Sequence, residues 1–275
     1  MRSILHKSLK SFALIALLAT PTASQPAFCD EPQLKAPTDW RRTFNDDFSL
    51  DLSQWTTRFP WGGRYTPGSK EAEIYVDEAY PALPLNPFSI EAGILTITAN
   101  RLSPENAARF QGRRYTSGLL TSYPAFAQLY GYFEVRARLP RGRGLWPAFW
   151  LLPTDFTWPP EIDIEQVGDS TKLYVTVHYG TRRETGFAIS VPDTSAAFHS
   201  YGMLWTPRFI AWYFDHDRVA FTPTPADMHS KRMYLLISLA VGGTWPGEPP
   251  VQTVFPAKLE VSDVHAYALP SQPFP

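Results

Sequence analysis

A single cysteine, Cys29, occurs in the chain. It has no partner for an internal disulfide and cannot build a cysteine cage for a metal. No G-x-S-x-G elbow is present, which disfavours a serine hydrolase, and no H-E-x-x-H, which disfavours a zinc hydrolase. Charge is not blocked: the formal net charge is -1 and no five like charges run together. Nucleic acid and anionic membrane surfaces need clustered Lys and Arg, so neither is expected as a partner. A helical period is nearly missing as well; only Ser103–Phe110 shows it weakly. Long apolar runs are also lacking. The run Phe12–Ala19 is about half of the ~20 residues that span a bilayer.

What is abundant is proline, 27 residues, roughly twice its usual share of about 5%. Proline breaks helices and belongs at turns and strand edges. Aromatics reach 15%, with nine Trp, and suit the apolar faces of sugar rings as well as a core. The hydrophobic fraction of 44% can fill a core. Arg2, His6, Lys7 and Lys10 precede the Phe12–Ala19 run, and Thr22-Ala23-Ser24 follows, so residues 1–24 read as a signal peptide cut after Ser24. Phe28 precedes Cys29, which argues against a lipid anchor. The expected location is the periplasm or the medium, with no membrane contact after cleavage. Residues 25–39 read as a linker, and 40–270 as one domain.

That domain reads as short strands between Gly, Pro, Asn and Asp. Gly131–Leu139 alternates, with Phe133, Val135, Ala137 and Leu139 on one face. Phe209–Phe214 and Arg218–Phe221 read as a hairpin, Met233–Val241 as an apolar strand, and the last strand lies near Leu259–Tyr267. The expected class is all-β: two packed antiparallel sheets.

The chemistry concentrates in Glu161-Ile-Asp-Ile-Glu165. On a strand, Ile162 and Ile164 face the core while Glu161, Asp163 and Glu165 share the other face. Three carboxylates in a row repel, which a purely structural strand seldom tolerates between apolar flanks. Positions i and i+4 stand about 13 Å apart at Cα, from roughly 3.3 Å per residue. Two glutamates leaning together bring their carboxyls to about 5–6 Å, the separation of a retaining glycosidase; an inverting pair needs about 6.5–9.5 Å. One glutamate can then attack the anomeric carbon while the other handles the proton, with Asp163 between them to hydrogen-bond the nucleophile and hold its charge state. The following strand, Leu173–His178, places Tyr174, Thr176 and His178 on the carboxylate face if a two- or four-residue loop joins the two.

Glu161-Ile-Asp-Ile-Glu165 resembles the active-site strand of glycoside hydrolase family 16, the laminarinase, lichenase and agarase group. Tyr115-Thr-Ser-Gly118, Tyr130–Pro140, Gly144–Pro153 and Ala240–Gly247 also look like family blocks. The resemblance implies a concanavalin-like β-jelly roll with a substrate cleft across its concave sheet, and retaining hydrolysis of β-1,3 or β-1,4 bonds in a polysaccharide. It matches Glu161 to the nucleophile, Asp163 to the assisting aspartate and Glu165 to the acid/base, and Trp146, Trp150 and His178 to the cleft. Trp61, Tyr75 and Trp245 are candidates for sugar stacking. Thr57–Gly63, Asn86–Ser89 and Trp158–Glu161 most resemble bacterial depolymerases of exopolysaccharides such as succinoglycan. Laminarinases usually carry an extra residue between the aspartate and the second glutamate; this chain does not, which counts against a strict β-1,3-glucan substrate. Many members bind calcium on the convex face through an aspartate of the last strand. Here Ser262 falls at that position with Asp263 on the opposite face, so no metal or other cofactor is expected. A monomer is expected. A transglycosylase and a non-catalytic lectin-like module remain the alternatives.

Overall fold

Apolar–polar alternation becomes extended backbone nearly throughout the computed structural model, which describes residues 36–37, 39–66 and 68–270. The expected signal peptide 1–24 and most of the linker lie outside these residues. In chain order the strands are β1 (Arg42–Asp46), β2 (Glu73–Tyr75), β3 (Phe88–Glu91), β4 (Ile94–Arg101), β5 (Tyr115–Ser117), β6 (Leu119–Thr121), β7 (Gly131–Arg138) and β8 (Leu145–Pro153). They continue with β9 (Glu161–Glu165), β10 (Lys172–Tyr179), β11 (Arg183–Ser190), β12 (His199–Trp205), β13 (Phe209–Phe214), β14 (Asp217–Pro223), β15 (Met233–Val241) and β16 (Ala257–Tyr267). The weak helical period is real: α1 (Pro104–Arg109) has Ser103 as its N-cap, which accepts from the Asn106 N–H at 3.3 Å. Among the described residues no helix is long and apolar enough to cross a membrane.

The strands form two sheets. One runs β14-β13-β12-β7-β16-β4-β5-β2, with β1 on β16 and β3 on β4. The other runs β11-β10-β9-β8-β15-β6. Pairing is antiparallel except between β2 and β5, which run parallel. The inner faces meet in one core. Phe133, Val135, Val261 and Val264 come from the first sheet, and Phe149, Ile162, Val175 and Ile237 from the second. A fully buried aliphatic side chain contributes about 1.5–3 kcal/mol over an exposed one. Tyr132 and Glu134, on the other face of β7, are buried too, because Leu204, Tyr213 and Tyr267 pack a smaller cluster with Tyr132 there.

One expectation about β16 is overturned. Strict alternation from Val261 turns Asp263 inward. The register against β7 instead shifts between Val261 and Asp263, so Ser262 is a bulge residue. Val264 returns to the core, and Asp263 lies on the outer face with Ser262. Both Asp263 oxygens are engaged there. Oδ2 accepts from Ser262 Oγ at 2.6 Å and Oδ1 lies 3.2 Å from His265 Nε2. Those donors hold its carboxyl below the usual range. A carboxylate so occupied, with an imidazole beside it, does not fit a calcium site, which needs several free oxygen ligands.

Candidate active site

The carboxylate strand β9 lies inside the second sheet, between β8 and β10. Ile162 pairs with Leu151 and Val177, and Ile164 with Phe149 and Val175, which anchors the strand by its inner face. The outer face is then dictated. Glu161 lies opposite His178, Asp163 between Trp150 and Thr176, and Glu165 between Ala148 and Tyr174. The loop joining β9 to β10 is six residues, 166–171. It is longer than the two or four residues expected, but it is even, so Tyr174, Thr176 and His178 still lie opposite the three acids. The register is unbroken along β9 on both sides, without the bulge that an extra residue would create.

Each glutamate has its own indole donor. Trp158 Nε1 donates to Glu161 Oε2 at 2.6 Å, and Trp146 Nε1 donates to Glu165 Oε1 at 2.8 Å. Asp163 is 1% exposed. Its Oδ2 lies 3.4 Å from His178 Nε2, while His178 Nδ1 lies 3.4 Å from Glu184 Oε2. Burial raises all three acids above ordinary carboxylate values, and their mutual repulsion adds to it. Glu165 is pushed up to about 8, first by burial and then by the charge of Glu161, against the pull of the Trp146 N–H. For Glu161, burial and Asp163 raise, while His178 and the Trp158 N–H lower. The titration belongs to the group as a whole. With all three carboxyls raised, and Glu165 up to about 8, the group retains protons at neutral pH.

A cleft of about 730 Å³ opens beside Glu161. Its walls include Trp61, Phe156, Trp158 and Tyr234, with His178, Arg182 and Glu184 at the β10–β11 end. Trp61 is 47% exposed and lies flat on Phe59, ring centroids 4.5 Å apart, so its other face is free. Trp150 forms the floor; its indole N–H bonds Ser238 Oγ at 3.2 Å. Beyond Glu165, the half-exposed Trp245 meets Trp146 edge-on at 5.4 Å and Tyr174 at 4.9 Å. Its loop is held by Thr244 N–H donating to Ser69 O at 2.8 Å. Gly243, at φ 112°, makes this approach possible, since a Cβ there would stand 3.0 Å from Ser69 O.

Tyr75 does not serve as expected. It sits in β2 rather than in a loop, is 1% exposed, and packs edge-on against Phe59. A ring closed on all sides has no face for a sugar. Two residues at the site escaped the sequence reading as participants. Trp158 was visible only as part of a Trp-Pro-Pro motif, and Glu184 carries no local signal because only the β10–β11 pairing brings it to His178. Glu73, which does not line the cleft, is fully buried with Oε2 accepting the Val241 N–H at 2.8 Å. Burial, then Glu71, holds its carboxyl well above the usual value.

Known proteins share this sequence pattern and fold. The family model described as glycosyl hydrolases family 16 matches residues 89–255. The endo-1,3-1,4-beta-glycanase EglC of Rhizobium meliloti is 44% identical over 243 residues, covering 83% of this chain and 52% of EglC. The chain thus spans about half the length of that relative. The solved laminarinase of Rhodothermus marinus superposes with a TM-score of 0.70 at 32% identity, over 83% of this chain and 97% of the other. SCLam, described as a non-specific endo-beta-1,3(4)-glucanase, superposes with a TM-score of 0.74 at 26% identity, over 86% and 94%. With a matching family model over most of the domain and a jelly-roll sandwich shared with these structures, the chain belongs to glycoside hydrolase family 16.

Proposed function

We propose that the protein is a secreted, retaining endo-β-glycanase that hydrolyses β-1,3/β-1,4-linked glucan or a bacterial exopolysaccharide. One observation carries this most. The two glutamates project from one face of β9, each with its own indole donor, and burial with the Glu161 charge pushes the Glu165 carboxyl up to about 8. Glu165 protonates the glycosidic oxygen as the C–O bond breaks. Glu161 attacks the anomeric carbon and forms a glycosyl ester. Glu165, now a carboxylate, takes a proton from water, whose oxygen attacks the same carbon and releases Glu161. Two inversions give net retention. Asp163 shares a proton with Glu161 and so helps set when the nucleophile is charged.

Mixed linkage is supported by the unbulged strand and by the activity named for EglC and SCLam. An internal cut is supported by a cleft open to solvent over the sheet. Export to the periplasm or medium is supported by the sequence of residues 1–24. The test is product analysis on lichenan, laminarin and succinoglycan-type polymers, with proton NMR of the first anomer released. New reducing ends of β configuration are expected. Binding without cleavage, with Glu161→Gln behaving like wild type, sinks the reading in favour of a lectin-like module. Longer products at high substrate indicate transglycosylation from the same intermediate.

A further inference from the structure

We propose that Glu161, Asp163 and His178 also form an inhibitory site for a divalent transition-metal ion of the zinc class, with its fourth position open to the cleft. The three donor atoms lie within 4.8 Å of one another. Zinc holds such atoms at about 2.0–2.2 Å in a tetrahedron, which sets neighbouring ligands about 3.4 Å apart. The His178 Nε2 to Asp163 Oδ2 separation is 3.4 Å, so one edge is already formed. Only the Glu161 carboxyl needs to move inward, by little more than an ångström at most.

Two further features point to a cation. Asp163 Oδ2 is buried and has no hydrogen-bond partner, an unmet acceptor aimed at the imidazole. A buried lone pair left in this state is costly, and a metal ion satisfies it. His178 also carries the outer partner that metal-bound histidines usually have. Its Nδ1 faces Glu184 Oε2 at 3.4 Å, so Nε2 is the ring atom left for the ion. Glu161, His178 and Glu184 all line the cleft, which provides an entry path. One imidazole among only three ligands suits zinc or copper; magnesium and calcium want six or more oxygens. The ion occupies the lone pairs with which Glu161 attacks, so binding and catalysis exclude each other. That last step, unlike binding itself, rests on the proposed hydrolase reading.

Isothermal titration of the protein with zinc chloride, in a buffer that does not chelate, tests this. One zinc per chain is expected, with magnesium silent at the same concentration. His178→Ala and Asp163→Asn should each weaken binding at least 100-fold, and Glu184→Gln about tenfold. His199→Ala, at the surface pair with Asp215, should leave it unchanged. X-ray absorption of the zinc-loaded wild type should show one imidazole nitrogen with carboxylate oxygens, a readout that survives if a variant misfolds. No binding at millimolar zinc, or binding that survives His178→Ala and vanishes in His199→Ala, overturns the site. Zinc binding without cleavage of any glucan removes the hydrolase reading alone; cleavage without zinc binding removes the metal site alone.

Discussion

The clearest test of the acid/base assignment is Trp146→Phe. The indole N–H at 2.8 Å pulls the Glu165 carboxyl down against burial and the charge of Glu161. Phenylalanine keeps an aromatic body in place and deletes the donor. A hydrogen bond to a charged acceptor contributes about 1.5–3 kcal/mol, one to a neutral acceptor about 1. The difference favours the carboxylate over the acid by about 1–2 kcal/mol, or about one pKa unit at 1.36 kcal/mol each. The pKa of about 8 should therefore rise by about one unit in the variant. The assay is kcat/KM on a soluble β-glucan from pH 4 to 10, whose alkaline limb reports the acid in the free enzyme. The limb should move up, while the rate at neutral pH falls less than tenfold because a weaker acid donates more slowly. A limb that stays in place or moves down, in a variant with an unchanged circular dichroism spectrum, refutes the assignment of Glu165 as the proton donor.

Trp158→Phe removes the donor on Glu161, so the acid limb of the same profile should move up and kcat fall about tenfold. Glu165→Gln should abolish most turnover and alter stability in a pH-dependent way. A folded pKa near 8 against 4.5 unfolded means wild type binds the extra proton when folded. That stability is present below pH 4.5 and lost as pH rises through 8, up to about 5 kcal/mol. Thermal melts should show the Gln variant gaining on wild type between pH 5 and 9; parallel curves contradict the shift. Ile162→Ala, fully buried on the inner face of β9, should cost about 2–5 kcal/mol in urea unfolding. Trp61→Ala should raise KM several-fold, whereas Tyr75→Phe should leave KM unchanged because that ring is sealed under Phe59.

Much of the site was legible because it lies on one strand. Period 2 alone puts Glu161, Asp163 and Glu165 on one side, and any even loop puts even-numbered residues of β10 opposite them, although only the actual register sets His178 against Glu161. The same period misled at Ser262, where a bulge inserts one residue and turns Asp263 outward. It was silent on Tyr75, whose burial depends on Phe59, from a loop sixteen residues earlier, closing over it.

The sequence alone determined the all-β class, the shared face of the three carboxylates and the family resemblance, since these rest on local alternation and on contiguous motifs. The tertiary structure alone decided how far burial raises the two glutamates, which indoles hold them, and which aromatics are exposed at the cleft. Those properties come from burial and from contacts across loops, such as Glu184 to His178 and Trp245 to Trp146, which no local pattern records.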